Sequence, residues 1–235
     1  MALLYGYILS WGGYSTGSEA QTFPEQFATA LLKHDSFSAD TRGGSRVNPA
    51  WRGYWLSSKK ALHDHGLSAS SSDQASAIRD ATYTYPFMVR VNAANGTIII
   101  VSKLYDITDA VVDEFNYRNK PNLKRKVVDV QKVSQALLDE TRNREYSITY
   151  FLADVPGYGS NLRSITLYGN DIAEAEFLKS ERKNFSARKI GVRPFNASSD
   201  AGRFNNFGTV QFRSEHINVF EDFLRFAYQN NLFIE

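Results

Sequence analysis

Arg42, Arg46, Arg52, Lys59 and Lys60 fall in one window that holds no acid. A second window, 118–132, carries Arg118, Lys120, Lys124, Arg125, Lys126 and Lys132 against Asp129. A third, 179–213, carries Lys179, Arg182, Lys183, Arg188, Lys189, Arg193, Arg203 and Arg213 against Glu181 and Asp200. These windows contain 19 of the 27 basic residues and 3 of the 25 acidic ones, so the rest of the chain nets −14 although the whole is +2. Near-neutrality here is a balance of separated blocks. A lysine or arginine that neutralises a phosphate releases a condensed counterion, and this drives sequence-blind affinity for nucleic acid. Trp51, Tyr54 and Trp55 surround Arg52, and flat rings beside guanidiniums stack unpaired bases.

The candidate nucleic-acid contacts are therefore Arg42, Arg46, Trp51, Arg52, Tyr54, Trp55, Lys59, Lys60, Lys124, Arg125, Lys126, Arg182, Lys183, Arg188, Lys189, Arg193 and Arg203. Each group has a plainer alternative. Trp51 and Trp55, four apart, would pin an irregular loop to a core. Lys124–Lys126 would be a solvated lead-in to a helix. The stretch 179–203, with Gly191, Pro194 and Gly202, would be a surface connection rather than a strand and loop presenting bases.

Signals for catalysis are weaker. With no cysteine, thiol nucleophiles, thiolate metal sites and disulfides are excluded. His63-Asp64-His65 places its rings on one side only in a strand, whereas Gly66 after it suggests a helix end, where cationic histidines suit the helix dipole. His34-Asp35 has no partner histidine at useful spacing. Asp106, Asp109 and Asp113 share a helical face beside Glu114, but acids at a helix start are ordinary. The glycine-bearing stretches 43–44 and 157–159 lack the following helix that a phosphate loop uses. No catalytic residue, metal ligand or cofactor is nominated.

The elements that would position these groups follow from periodicity. Residues 3–10 alternate as a strand buried on both faces. Pro24 opens a helix through Leu32. Residues 35–60 show little regular pattern and are expected as loop, with short helices over 57–65 and 73–83. Asn95-Gly96 between 87–94 and 97–102 predicts a hairpin with a type I′ turn, and Thr97–Val101 predicts a central strand. Asp106 is expected to cap a helix with Ile107, Ala110, Val111 and Phe115 inward, and 127–141 to form another around Val130, Val133, Leu137 and Leu138. Strands follow near 148–152, 164–168, 187–195 and 209–213, with Asn170 capping a helix between the second and third. A terminal helix over 215–228, apolar at Ile217, Val219, Phe220, Phe223, Leu224 and Ala227, has a stripe too wide for a surface helix and is expected to be packed in.

The fold class predicted is α+β: a mixed or antiparallel sheet with the 87–102 hairpin, packed helices and a buried C-terminal helix. The 235 residues are read as a single domain over 1–235, with 119–146 as the place where a subdivision would fall. The first ten residues lack a basic leader and no stretch is apolar enough to span a bilayer, which predicts a cytoplasmic protein without a membrane partner. The leading expectation is a nucleic-acid-binding protein, for DNA or RNA, or a subunit of a nucleoprotein assembly. The alternative is an assembly protein whose basic face meets an acidic partner or another copy of itself. A metal-dependent nuclease is a lesser alternative.

Overall fold

A computed structural model describes residues 2–12, 22–33, 37–39, 51–61, 82–138, 145–155, 164–172, 185–195 and 197–234, with 37–39, 54–55, 57–61 and 82–84 described through the backbone. The chain groups into two compact units: a base unit of Met1–Ile8 with Arg125–Glu235, and an insert unit of Leu9–Lys124. The fold is α+β. Among the described residues no helix is long and apolar enough to cross a membrane.

In the insert unit, β2 (Phe37–Ala39), β3 (Trp51–Ala61), β4 (Thr82–Asn92) and β5 (Thr97–Ser102) pair antiparallel in that order. All six residues of β5 are buried, as expected of an apolar run with no polar face. Helix α1 (Phe23–Leu32) has Pro24 in its first turn, where the missing N–H costs nothing. Helix α2 (Tyr105–Arg118) buries Ile107, Val111 and Phe115, spaced four apart along one face. Trp11 closes this core: its ring lies 5.9 Å from Phe23, 5.7 Å from Phe27 and 5.9 Å from Phe115. Its Nε1 donates to the Pro121 carbonyl at 2.8 Å.

Several expectations are corrected here. Residues 51–61 form a strand, not loop followed by helix. Strand β3 pairs with β4 from Trp51↔Asn92 to Ala61↔Thr82, and a long partner ladder supplies what Ser57-Ser58-Lys59-Lys60 lacks in strand propensity. Of the helix expected at 73–83, residues 82–83 belong to β4 and the rest lies outside the described residues. The β4–β5 hairpin is present, but its loop is the four residues 93–96, closed by Gly96 N–H donating to Asn92 O at 3.0 Å. Gly96 has φ 66°, while Asn95 is not left-handed, so the turn is not type I′. Leu104, not Asp106, precedes α2 at the cap, and no side chain caps it. Ala110 is exposed.

In the base unit, β1 (Leu3–Trp11, whose last three residues belong to the insert), β11 (Thr209–Arg213), β10 (Gly202–Asn205), β9 (Ser186–Pro194), β7 (Tyr146–Asp154) and β8 (Ser164–Tyr168) lie side by side in that order, each pair antiparallel. Strand β10 has no counterpart in the sequence expectation, being only the four residues Gly202–Asn205. Helix α3 (Val130–Leu138) starts three residues later than expected because Asp129 Oδ1 accepts the Lys132 N–H at 2.9 Å and caps it. The residues before it include the short strand β6 (Leu123–Arg125) rather than a helical lead-in. Gln131 Oε1 accepts the Ala187 N–H at 2.7 Å, fastening α3 to β9.

Helix α4 (Ile217–Gln229) is buried through Phe220, Phe223, Leu224 and Ala227, with Ile217 and Val219 half-buried. The Phe220 ring stacks 4.2 Å from Phe212 of β11 and 5.6 Å from Phe204 of β10. Phe223 lies 5.2 Å from Tyr146 of β7, and burial pushes the Tyr146 hydroxyl up to about 12, helped by the charges of Asp222 and Glu145. Phe220→Ala should lower the unfolding free energy by about 3–5 kcal/mol, because it empties the centre of this stack. Urea denaturation checks this against Tyr117→Ala at an exposed α2 position, expected to stay within about 0.5 kcal/mol of the parent.

Candidate nucleic-acid interface

The base-unit sheet has two unlike faces. Phe204, Val210, Phe212, Ile190 and Val192 are buried, and Phe204 and Phe212 meet α4. Side chains alternate along a strand, so the residues between them point the other way. Cross-strand register then assembles one continuous row on that other face. Tyr5 of β1 faces Gln211 of β11, which faces Arg203 of β10, which faces Gly191 of β9. Gly191 faces Tyr150 of β7, which faces Tyr168 of β8. At strand spacing the row runs about 24 Å.

Gly191 determines the shape of this row. A Cβ there would sit 2.8 Å from Tyr150 Cβ, 3.2 Å from Thr149 Oγ1 and 3.4 Å from the Arg203 Cγ. The side chains from both neighbouring strands lean into the space it leaves, and they meet. The Arg203 guanidinium lies 4.7 Å from the Tyr150 ring centroid, and the Lys189 ammonium approaches the same ring at 5.8 Å. Tyr168 packs edge-on against Tyr150 at 5.0 Å, and it is 71% exposed whereas Tyr150 is 9%. One ring is thus covered by two cations and a second ring, which stands in solvent.

The electrostatics follow from that crowding. Among the described residues no carboxylate lies within ion-pair distance of Lys189 or Arg203. Burial lowers the Lys189 ammonium below its ordinary value, and the Arg203 charge lowers it further. Burial raises the Tyr150 hydroxyl, with Tyr168 adding to the rise and Arg203 opposing it. Two cations held together over one ring, with no counter-charge among the described residues, form an arrangement that an anion would relieve.

A concavity of about 630 Å³ opens beside Gln211 and Arg203 of the row, lined by Ala2, Leu3, Ser198, Asp200, Arg203, Gln211, Arg213 and His216 among others. Arg203 therefore borders both the aromatic pair and the cavity.

The other expected contacts fall elsewhere. Arg188 pairs with Asp154 at 3.3 Å, an exposed ion pair of small energetic weight. Arg193 donates from Nη2 to the Asn170 carbonyl at 2.6 Å. The Arg125 guanidinium lies 3.9 Å over the Tyr7 ring. The Lys126 ammonium sits between Tyr228 and Phe233, at 4.7 and 5.0 Å from their centroids, and burial lowers its pKa. Lys126 thus ties the chain entering α3 to the end of the chain. In the insert unit, Arg52 is exposed on β3 opposite Val91, and Lys124 is exposed at the unit boundary. Trp51 is 4% exposed. It is a core ring and is withdrawn as a stacking platform. Tyr54, Trp55, Lys59 and Lys60 lie in β3 opposite Val89, Met88, Thr84 and Tyr83.

Arg42, Arg46, Arg182 and Lys183 lie outside the described residues, as do His34, His63, His65, both glycine-bearing stretches and nearly all of the helix expected after Asn170. On α2, Glu114 accepts from Arg118 at 2.9 Å. Among the described residues no three acidic or histidine side chains come together as a metal site.

Sequence reading missed Tyr150, Tyr168, Gly191, Gln211, Arg213 and His216 as members of a site. One signal was available: a glycine inside a strand pattern marks a close approach of neighbouring groups, and Gly191 stands between Lys189 and Arg193 in such a pattern. No protein-family model matches the chain, and no curated protein matches it. The site therefore rests on its own geometry.

Two measurements check that geometry. Arg203→Gln should raise the Lys189 pKa toward its ordinary value, read by NMR titration of the side-chain amine, while Arg225→Gln on α4 leaves it unchanged. Gly191→Val should destabilise the base unit by about 1–3 kcal/mol through overpacking, and should relieve the part of the Lys189 lowering that comes from Arg203, leaving the larger part that comes from burial.

Proposed function

We propose that the protein binds nucleic acid through the open face of its base-unit sheet, on its own or as a subunit of a nucleoprotein assembly. The observation that carries this reading is the convergence of two cations, Lys189 and Arg203, with no ion-pair partner among the described residues, on Tyr150 beside the exposed ring of Tyr168. Phosphates supply the missing negative charge. Tyr168 supplies a π-face for an unpaired base, worth about 1–3 kcal/mol in comparable stacks. Aromatic residues on an open antiparallel sheet stack two or three bases in sheet-based RNA readers. Base edges inside a duplex are not offered to such a face, so the preferred ligand is single-stranded.

The absence of cysteine is compatible with a reducing compartment, and the cytoplasm is the location we propose. Arg52 on β3 is a further exposed cation in the insert unit, available to the same kind of ligand.

Fluorescence anisotropy of the full chain with labelled single-stranded and duplex oligonucleotides at about 100 mM salt tests this reading. Single strands should bind more tightly than duplex. Lys189→Ala and Arg203→Ala should each weaken binding and reduce the salt dependence by about one ion. Tyr168→Ala should cost single-strand binding about 1–3 kcal/mol and change the salt dependence little. Failure of the parent protein to bind either nucleic acid overturns the reading.

A further inference from the structure

The cavity of about 630 Å³ beside Arg203 is not needed for stacking on Tyr168, and its lining is unlike the rest of the face. It is built where three strands end together: Ala2 and Leu3 at the start of β1, Gln211, Phe212 and Arg213 on β11, and Gly202 and Arg203 on β10. The chain is held there by backbone hydrogen bonds and one short side chain, Ser214. Ser214 N–H donates to Ala2 O at 2.9 Å, and Ala2 N–H donates to Ser214 Oγ at 3.3 Å. Ala201 N–H donates to Val192 O at 2.8 Å, which fixes the edge carrying Ser198 and Asp200.

Its chemistry is mixed in a particular way. Arg203 and Arg213 offer two guanidiniums, and Gln211 and Ser198 offer neutral donors and acceptors. His216 offers an imidazole, and Asp200 is the one carboxylate of the lining among the described residues. Guanidiniums are the side chains best matched to the geometry of phosphate oxygens. A volume of this size lies in the range of ordinary small-ligand sites. Arg203 reaches the cavity and the Tyr150 ring at once, so a chain of nucleotides crossing the tyrosines passes directly into it.

We propose that the cavity holds one nucleotide of an unpaired strand, with its phosphate between Arg203 and Arg213 and the adjoining nucleotide stacked on Tyr168. This rests on the nucleic-acid reading above and adds a second, deeper subsite to it. Asp200 opposes the phosphate from the rim, so it weakens binding while orienting the nucleotide within the cavity. A guanidinium and a carboxylate in one lining make the prediction two-signed, and loss of folding cannot imitate a gain.

The experiment uses the full chain, a labelled single strand of about ten nucleotides and unlabelled 5′-mononucleotides as competitors, with thermal unfolding recorded for each variant. Arg213→Ala should weaken strand binding about tenfold, the loss expected of one charge-assisted contact. Asp200→Asn, nearly isosteric, should tighten it severalfold. Mononucleotides should compete with the parent protein and should compete less well with Arg213→Ala. If the strand binds but Arg213→Ala and Asp200→Asn both bind as the parent does, the cavity proposal is overturned and the sheet-face reading survives. If Arg213→Ala unfolds, Asp200→Asn still decides: unchanged or weaker binding overturns the proposal. If the parent binds no single strand, the sheet-face reading fails and takes the cavity with it.

Discussion

Everything on the open face of the base unit depends on Phe220 lying between Phe204 and Phe212. That stack holds α4 against β10 and β11 and commits one face of each strand to the core. Strand periodicity then leaves no freedom for the residues between. With Phe204 inward, Arg203 and Asn205 point outward; with Phe212 inward, so do Gln211 and Arg213. A slip of one residue in either pairing would bury a guanidinium and expose a phenylalanine. The desolvation cost of the first and the lost burial of the second both oppose it. Placement of the cations is thus enforced by aromatic residues buried on the opposite face of the sheet.

The grouping over Tyr150 is not explained by stability. Lys189 and Arg203 both lie within 6 Å of one ring centroid, where their like charges repel and the Arg203 charge lowers the Lys189 pKa. A ring face returns only about 0.5–1 kcal/mol per cation at an exposed site. Arg188, by contrast, has Asp154 and Arg193 has the Asn170 carbonyl. Nearby bases of the same segment each have a polar partner, while Lys189 and Arg203 have none among the described residues and share one ring.

Much of the fold was legible along the chain. The 87–102 hairpin, the apolar β5 and the α1 start at Pro24 follow from period and composition, as does the inward stripe of α4. What was not legible depends on partners. Strand β3 contains Ser57-Ser58-Lys59-Lys60, whose propensities argue against a strand, and becomes one through its long ladder with β4. Strand β10 is too short to carry a pattern and exists because β9 and β11 flank it. The candidate site was half legible. The windows of bases were visible, but which cations would be spent on Asp154, Tyr7, Tyr228 or Asn170 is a matter of tertiary neighbours. The Tyr150–Tyr168 pair was hidden for the same reason: 18 residues separate them along the chain, and only the register of β7 and β8 makes them adjacent.

Clustering of charge along a sequence overstates the electrostatic capacity of a surface. Of the candidate bases in the third window, Arg188 and Arg193 are engaged within the protein, while Lys189 and Arg203, joined by Arg213, face the row or its cavity. Three cations neutralising three phosphates on a single strand give a salt dependence near −0.7 per contact, or roughly −2 in log–log terms. That is a modest electrostatic drive, far below that of proteins that hold duplex DNA through many phosphate contacts. Under the proposed function, an interface with so few available charges draws a comparable share of its affinity from the rings. Gly191 then matters as much as any cation: by giving up its own side chain it allows Arg203 and Tyr150 to occupy one space.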